Sequence, residues 1–144
     1  MATFIYAEAL DDPKPFYHSH ATGIRNLYFT SGMVSRKYKD TKMHIGVSNL
    51  NGKIVHNIEL QFLDIIAQLY EVSGQIGIAK QDVQHSLIEV RVFLIEVKRY
   101  FKPFNAAYGI WMGNKINHPA RTTIGVADLP SDVALEMSFT IGVN

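Results

Sequence analysis

The chain has 144 residues, of which 47% are apolar and 19% are charged, so its length and composition suit one domain with its own core. Fourteen Lys and Arg against 13 Asp and Glu leave a net charge of +1, which argues against a protein steered to nucleic acid by excess positive charge. Because there is no cysteine, disulfides, thiolate metal sites and a cysteine nucleophile are excluded, and a cytoplasmic location is permitted.

The first third of the chain predicts two strands and a long loop. Residues 3–9 and 26–30 are rich in strand-forming side chains and are followed by turn residues. Residues 33–53 are polar and basic, and we predict a loop with a short hairpin around residues 43–47. The start lacks the basic and apolar regions of a signal peptide, and no apolar run approaches the ~20 residues of a membrane span, so no membrane partner is expected.

Helices and strands alternate in the rest of the chain. Apolar residues recur at helical spacing over residues 58–72, with Asn57 as the predicted N-cap and Gly74 as the stop. Period-two alternation predicts a strand over residues 87–94. A second helix is predicted over residues 101–111, where Pro103 is compatible only with the first turn. Residues 121–126 and 134–143 predict two final strands.

This β-β-α-β-α-β-β order predicts an α+β fold: a single domain over residues 1–144, with one sheet and two helices on one face. Leu135, Met137 and Phe139 share the strand face that should meet the helices. The opposite sheet face has no cover within the chain. It is either a solvated face or a surface that packs against other subunits and holds Arg121 and Glu136 in a semi-buried cleft.

Several motifs along residues 19–143 together resemble the reactive-intermediate deaminase (Rid/YjgF) family. Three segments resemble the family's PAR-(S/T)-x-V, LP and (V/L)-E-(I/M) motifs in order and spacing. They are His118 to Val126, Leu129-Pro130 and Ala134-Leu135-Glu136-Met137. Further matches are Asn26 to Gly32 (LLFVSG), Ile58 to Gln61 (IExQ), Phe93-Leu94 (VFL), and Asn105 with Tyr108 (N-x-x-Y). Three segments are most similar to the 2-aminomuconate deaminase branch of the family: Ser19-His20-Ala21, Ser31 to Lys37, and Arg121-Thr122-Thr123.

The resemblance implies a chorismate-mutase-like mixed sheet and a homotrimer with three ligand clefts between neighbouring subunits. It implies hydrolysis of a small enamine or imine carboxylate, similar to 2-aminomuconate, that releases ammonia and a 2-oxo acid without a cofactor. Two other roles stay open: a general scavenger of 2-iminopropanoate and 2-iminobutanoate, and a non-catalytic trimer that binds a metabolite. An RNA-binding or RNA-cleaving role, proposed for some relatives, fits the charge poorly.

Arg121 and Glu136 are the candidate catalytic residues. The planar guanidinium of Arg121 is suited to a carboxylate because it donates two parallel hydrogen bonds, although an intersubunit salt bridge is an alternative. Glu136 is the candidate for orienting water or moving a proton to the leaving nitrogen, unless it serves as an ion-pair partner.

Five further residues are candidates for binding the substrate: Ser31, Gly32, Asn105, Thr123 and His20. Ser31 and Gly32 follow a strand end where a backbone N–H is able to meet a ligand, and a plain turn is an equal alternative. Asn105 and Thr123 are either cleft contacts or polar groups satisfied elsewhere. The resemblance suggests His20 as a cleft contact, although the family's usual tyrosine is replaced by His18, with Tyr17 beside it.

The remaining polar and aromatic residues carry weaker expectations. His18 and His20 alone supply too few ligands, so no metal site is expected. Tyr108 and Trp111 are expected to pack in the core or between subunits. The basic run Arg36, Lys37, Lys39 and Lys42 is a solvated loop or, alternatively, helps to bind the second carboxylate of a diacid substrate.

Overall fold

A computed structural model describes residues 1–113 and 117–144, and it contains one mixed six-stranded sheet, two long helices and a separate hairpin. The strands are β1 (Thr3–Ile5), β2 (Ala21–Ile24), β3 (Leu27–Thr30), β4 (Val47–Leu50), β5 (Lys53–His56), β6 (Leu87–Ile95), β7 (Ala120–Val126) and β8 (Leu135–Gly142). The helices are α1 (Ile58–Gln75), the one-turn α2 (Val83–Ser86) and α3 (Val97–Met112), and short 3-10 turns span Lys14–Phe16 and Lys80–Asp82.

The strand order in the large sheet is β1-β2-β3-β8-β6-β7. The β6–β7 pair is parallel and is joined through α3, whereas every other pair in this sheet is antiparallel. A parallel pair needs such a crossover, because a tight turn cannot return the chain to the same end of the sheet. In this strand order, β7 is the last strand and lies at an edge of the sheet.

Helices α1 and α3 cover one face of the sheet, as predicted. The side of β8 that carries Leu135, Met137, Phe139 and Ile141 is fully buried against them. Helix α1 contributes Phe62, Ile65, Leu69 and Val72 to the same core, each with no exposed surface. Burial of each such side chain contributes roughly 1.5–3 kcal/mol, so this interface is the main source of stability.

The N-cap prediction for α1 is confirmed, and the predicted stop is wrong by one residue. The side-chain oxygen of Asn57 accepts a hydrogen bond from the N–H of Leu60 at 3.0 Å. The helix continues past Gly74 to Gln75, and the left-handed backbone that reverses the chain belongs to Gly77, with φ of +90°. A glycine without positive φ does not end a helix by itself.

Several secondary-structure predictions in the N-terminal half are wrong. Strand β1 stops at Ile5 instead of reaching residue 9, and β2 was not predicted. The segment predicted as a loop up to residue 53 contains β4 and the start of β5, whose turn has positive φ at Asn51 and Gly52. The chain around residues 43–47 pairs through an isolated bridge between Lys37 and His44 rather than as a regular hairpin.

The β4–β5 hairpin is tied to the core by one buried glutamine. The side-chain nitrogen of Gln61 donates to the C=O of Gly46 and contacts Nδ1 of His56, both at 3.1 Å. Its side-chain oxygen accepts from the N–H of Ala134 at 2.9 Å. The IExQ motif therefore has a structural use here, since Gln61 joins the hairpin, α1 and the start of β8.

Helix α3 begins four residues before the predicted start, and Pro103 lies in its interior rather than in its first turn. The proline therefore removes one backbone hydrogen bond from the middle of the helix. Buried Tyr100, Phe104 and Tyr108 lie on both sides of the proline, and their packing holds the two halves of α3 in one helix.

The opposite sheet face is not covered by any described part of the chain. It exposes a group of large apolar side chains, each at least 40% exposed: Phe4, Ile24, Leu27, Phe29 and Ile124. Large exposed apolar patches mark interaction surfaces, so a fully solvated sheet face is disfavoured. No helix within the described residues is long and apolar enough to cross a membrane.

Candidate functional site

Arg121 lies on the edge strand β7 and rests on aromatic rings of α3. Its Cζ is 4.7 Å from the centre of the Tyr108 ring and 5.7 Å from that of Phe104. The side chain is partly exposed, and within the described residues it forms no ion pair. The rings therefore support the guanidinium through cation–π contacts while its hydrogen-bond donors are free to meet a ligand.

Two buried hydroxyl groups belong to the same region. Thr123 projects from the same face of β7 as Arg121, two residues along the strand. The Thr123 Oγ1 and the Tyr108 hydroxyl are both buried, and neither has a hydrogen-bond partner within the described residues. We call Arg121, Thr123, Phe104 and Tyr108 the Arg121 half-site. Asn105 is exposed and lies three residues before Tyr108 on α3, a spacing that puts the two residues on one side of the helix.

Glu136 lies beside Gly32 on the uncovered face of the sheet. A Cβ atom added at Gly32 would lie 2.8 Å from the carboxyl carbon of Glu136, so glycine leaves the space that this carboxyl group occupies. The carboxyl is half-buried, and this burial raises the pKa of Glu136 above its ordinary value. A carboxyl group whose proton affinity is raised in this way is suited to exchanging protons with a substrate.

Ser31 is held by the segment that precedes β2. Its N–H donates to the C=O of His20 at 2.9 Å, and its hydroxyl donates to the C=O of Ser19 at 2.6 Å. Among the described residues the N–H of Gly32 has no backbone partner of this kind. We call Glu136, Gly32 and Ser31 the Glu136 half-site, in which Gly32 offers the free backbone donor and Ser31 fixes the turn.

His20 is used to hold the N-terminal segment. Its Nδ1 accepts from the N–H of Ala7 at 2.9 Å, and its Nε2 lies 3.0 Å from the C=O of Asp11. Since Nδ1 is an acceptor, Nε2 carries the proton and donates to Asp11. Both ring nitrogens thus have partners inside the chain, which favours a positioning role for His20 next to Ser31. The neighbouring Tyr17 is 98% exposed and has a left-handed backbone, with φ of 65°.

The expectation that Arg121 and Glu136 share the uncovered face of one chain is wrong. Arg121 and Phe139 both lie opposite Val90, on the face covered by the helices. Glu136 and Ile124 both lie opposite Phe93, on the other face. Side chains of directly paired residues project to the same side of a sheet, so the two half-sites are separated by the sheet itself.

Two surface depressions formed by the described residues lie away from both half-sites. One lies near Asn26, His85 and Gly142, and the other lies between β5 and α3, near His56 and Ile110. Neither is lined by Arg121 or Glu136. Because the two residues project from opposite faces of the sheet, neither depression brings them together.

Arg36 differs from the three lysines of the basic loop because it forms an ion pair with Asp64 of α1. The backbone N–H of Arg36 and its guanidinium bond Asp64 of α1, at 2.7 and 2.8 Å, and this contact raises the pKa of Arg36. Arg36 therefore anchors the loop, and only Lys37, Lys39 and Lys42 are left as candidates for binding a second carboxylate. Within the described residues, no cluster of three or more His, Asp or Glu side chains is arranged to hold a metal ion.

The sequence favours packing in the core or between subunits for Tyr108 over a ligand contact, and it does not indicate Phe104 as a site residue. The structure places the Tyr108 ring next to Arg121, and its hydroxyl has no hydrogen-bond partner within the part of the chain that the structure describes. The i, i+3 spacing of Asn105 and Tyr108 was an available signal, since it puts both residues on one side of a helix.

The contact between Gly32 and Glu136 leads to a direct test. We expect Gly32→Ala to fold normally, because the clashing atom is the end of a flexible side chain and Gly32 does not need a positive φ. The added methyl group displaces the carboxyl group of Glu136. The kcat of a reaction that depends on this carboxyl group should therefore fall by about tenfold or more. Gly109→Ala is the control, since within the described residues no atom outside its chain neighbours and its own helix backbone lies within 4 Å of the added Cβ. Equal kcat for both variants would contradict the assignment of Glu136.

A family model described as endoribonuclease L-PSP matches residues 9–142. A RutC family protein from Aquifex aeolicus is 23% identical over 122 residues, which is 85% of each chain. Another from Saccharolobus solfataricus is 28% identical over 127 residues, covering 88% of this chain and 87% of the relative.

Solved structures share the fold. The yeast protein YEO7 superimposes with a TM-score of 0.71 at 23% identity, covering 100% of both chains. A member of the YjgF/YER057c/UK114 family from Mycobacterium tuberculosis gives a TM-score of 0.71 at 14% identity, covering 99% of this chain and 100% of that one. The family match over nearly the whole length, with the motifs placed as described, means that the chain belongs to the endoribonuclease L-PSP family, also known as Rid/YjgF.

Proposed function

We propose that the protein is a deaminase that hydrolyses a small enamine or imine carboxylate to ammonia and a 2-oxo acid. Membership of the Rid/YjgF family suggests an imine-deaminase or small-molecule-binding role. The observation that carries the proposal is the guanidinium of Arg121, which is partly exposed, supported by two aromatic rings and without an ion-pair partner among the described residues. Such a group is suited to a carboxylate ligand.

The complete site forms between copies of the chain. The outer edge of β7, where Arg121 lies, has no neighbouring strand among the described residues, and the uncovered sheet face beside Glu136 is apolar. Packing this edge of one copy against the uncovered face of the next covers exposed apolar surface and brings the two half-sites together. A homotrimer with three such clefts closes this arrangement without leaving a free half-site.

The proposed reaction needs only binding, water and proton transfer. Arg121 holds the substrate carboxylate, and the enamine tautomerises to an imine whose carbon is electrophilic. Glu136 orients a water molecule and takes its proton as the oxygen adds to that carbon. Glu136 returns this proton to the nitrogen, which gives a carbinolamine. It then relays the hydroxyl proton of the carbinolamine to the same nitrogen, so that the C=O bond forms as the C–N bond breaks, and ammonia leaves with a 2-oxo acid remaining. Five further residues complete or position the substrate-binding surface: Gly32, Asn105, Thr123, Ser31 and His20.

The proposed substrate resembles 2-aminomuconate, whose second carboxylate would be met by the lysines of the loop over residues 37–42. The alternative substrates 2-iminopropanoate and 2-iminobutanoate have no second carboxylate and make no use of this loop. A non-catalytic trimer that binds a metabolite would use the same Arg121 without turnover. The proposed cytoplasmic location suits all three roles.

Ammonia release tests these roles directly. Purified protein should release ammonia from 2-aminomuconate faster than from 2-iminobutanoate, with both generated in the assay by upstream enzymes. Preference for 2-iminobutanoate would favour the scavenger. Tight binding of a 2-oxo acid without ammonia release would favour the binding protein, and salt-sensitive cleavage of RNA with no acid binding would overturn the proposal. Light scattering should give three times the chain mass.

A further inference from the structure

The hydroxyl group of Tyr108 is buried without a hydrogen-bond partner among the residues that the structure describes, although Tyr108 lies next to the proposed anion site. Tyr108 is 7% exposed, and its oxygen has no hydrogen bond within the described residues. A buried hydroxyl without a partner costs free energy, and phenylalanine would fill the same space without that cost. The hydroxyl therefore needs an explanation that core packing does not supply.

The neighbouring rings fix the position of this hydroxyl. The Tyr108 ring lies 5.8 Å from Phe104, 6.1 Å from Trp111 and 6.3 Å from Phe62, measured between ring centres. Packing of this kind leaves the ring little freedom to turn toward another partner. The hydroxyl is thus pre-positioned, and a ligand that brings an acceptor to it loses little entropy.

The guanidinium above the same ring defines what the hydroxyl is able to meet. The Cζ atom of Arg121 lies 4.7 Å from the ring centre, so a small acid held by Arg121 binds beside the Tyr108 ring. Burial raises the pKa of Tyr108, while the nearby charge of Arg121 opposes this shift, so the phenol keeps its proton at neutral pH. A neutral phenol donates its O–H to an uncharged acceptor such as an imine nitrogen or a keto oxygen.

A second hydroxyl with the same property lies nearby on the strand. Thr123 shares the β7 face of Arg121, and its Oγ1 is buried without a hydrogen-bond partner in residues 1–113 and 117–144. Valine has the same shape as threonine and removes only this oxygen. Two buried hydroxyls without partners beside a free guanidinium form a site with one anion receptor and two neutral hydrogen-bonding groups.

We propose that Tyr108 is a specificity residue that donates its O–H to the nitrogen or oxygen atom on C2 of an acid whose carboxylate is bound by Arg121. This inference rests on the proposed function and names a feature of its substrate: an acceptor atom adjacent to the carboxylate carbon. The site then discriminates 2-imino and 2-oxo acids from simple carboxylic acids, which leave the hydroxyl unpaired.

Calorimetric binding of 2-oxobutanoate and butanoate to the intact oligomer tests this assignment. Wild-type protein should bind 2-oxobutanoate more tightly than butanoate. Tyr108→Phe should weaken 2-oxobutanoate binding by about fivefold and leave butanoate binding unchanged, the size expected for one neutral hydrogen bond. Its midpoint of thermal unfolding should stay the same or rise, because a buried hydroxyl without a partner has been removed. Thr123→Val is the second variant and should act in the same direction.

Tyr100→Phe is a matched control. Tyr100 is also buried on α3 and lies under an arginine, since Arg99 is 5.2 Å from its ring centre, but it belongs to the opposite end of the helix. We expect this variant to bind both acids like wild type. Unchanged 2-oxobutanoate binding by Tyr108→Phe would overturn the inference and leave the proposed function standing. Weaker assembly with unchanged binding would make the hydroxyl a subunit contact. Failure of the wild type to bind either acid would overturn both proposals.

Discussion

Arg121→Lys should lower kcat/KM for an imine carboxylate by about 10²-fold, because a lysine cannot reproduce the bidentate contact of a guanidinium with a carboxylate. Charge-assisted hydrogen bonds contribute about 1.5–3 kcal/mol each, so the loss of one geometry-dependent contact accounts for a change of this size. The substitution also removes the planar group that stacks on Tyr108 at 4.7 Å. Steady-state kinetics and direct binding of a 2-oxo acid measure both effects.

Arg99→Lys is the matched control for this substitution. Arg99 also lies over a tyrosine ring, 5.2 Å from the centre of Tyr100, and it pairs with Glu96 at 3.6 Å. Its substitution should therefore change stability as much as that of Arg121 while leaving kcat/KM unchanged. If both variants kept wild-type kinetics, Arg121 would be a structural residue and the carboxylate would bind elsewhere.

Elements with strong periodicity were predicted well from the sequence. Helix α1 follows apolar residues at helical spacing from its Asn57 cap, and β6 follows an alternating run of β-branched residues. The face of β8 that meets the helices was also predicted, since Leu135, Met137 and Phe139 alternate without interruption. In these segments the local pattern and the tertiary environment favour the same structure.

Elements that depend on distant contacts were not predicted. Strand β2 is four residues long, and the ring of Tyr28 covers its glycine, with ring carbons 2.3 Å from where a Cβ at Gly23 would lie. Nothing local to residues 21–24 indicates that cover. The interior Pro103 likewise survives in α3 because aromatic packing on both sides outweighs the lost hydrogen bond. The Asn51-Gly52 turn is different, because Asn-Gly is a strong local hairpin signal that the polar character of the segment obscured.

The candidate site residues could be named from motifs, but their arrangement could not. Alternation assigns Arg121 and Glu136 to a face of their own strands, and it does not show how the two strands register against β6. The structure supplies that register through Val90 and Phe93, which lie on opposite faces of β6 and pair with one half-site each. Within one chain the two residues lie on opposite faces of the sheet, so the proposed function requires them to meet across a contact between copies, which the local sequence does not show.

Glu136→Gln should lower kcat by about 10³-fold while making the folded chain more stable at neutral pH. The loss of activity follows because an amide cannot take a proton from water, and general base catalysis typically contributes 10²–10⁴-fold. The gain in stability follows from burial, which raises the pKa of Glu136 in the folded state. Ionisation then opposes folding as the pH rises from the unfolded pKa of about 4.3 through the raised folded pKa, and glutamine removes this cost.

Two pH profiles measure these effects. In the wild type, kcat should fall on the acid side as Glu136 takes up its proton, at a pH above that of an ordinary glutamate, and the residual activity of Glu136→Gln should lack this limb. The difference in unfolding midpoint between the two proteins should shrink below about pH 4, where both side chains are neutral. Glu89→Gln is the control, because Glu89 lies on the same sheet face, opposite Thr140 on β8. Loss of activity together with loss of stability in Glu136→Gln would instead make Glu136 an ion-pair partner, since removing one member of a buried pair leaves the other charge uncompensated.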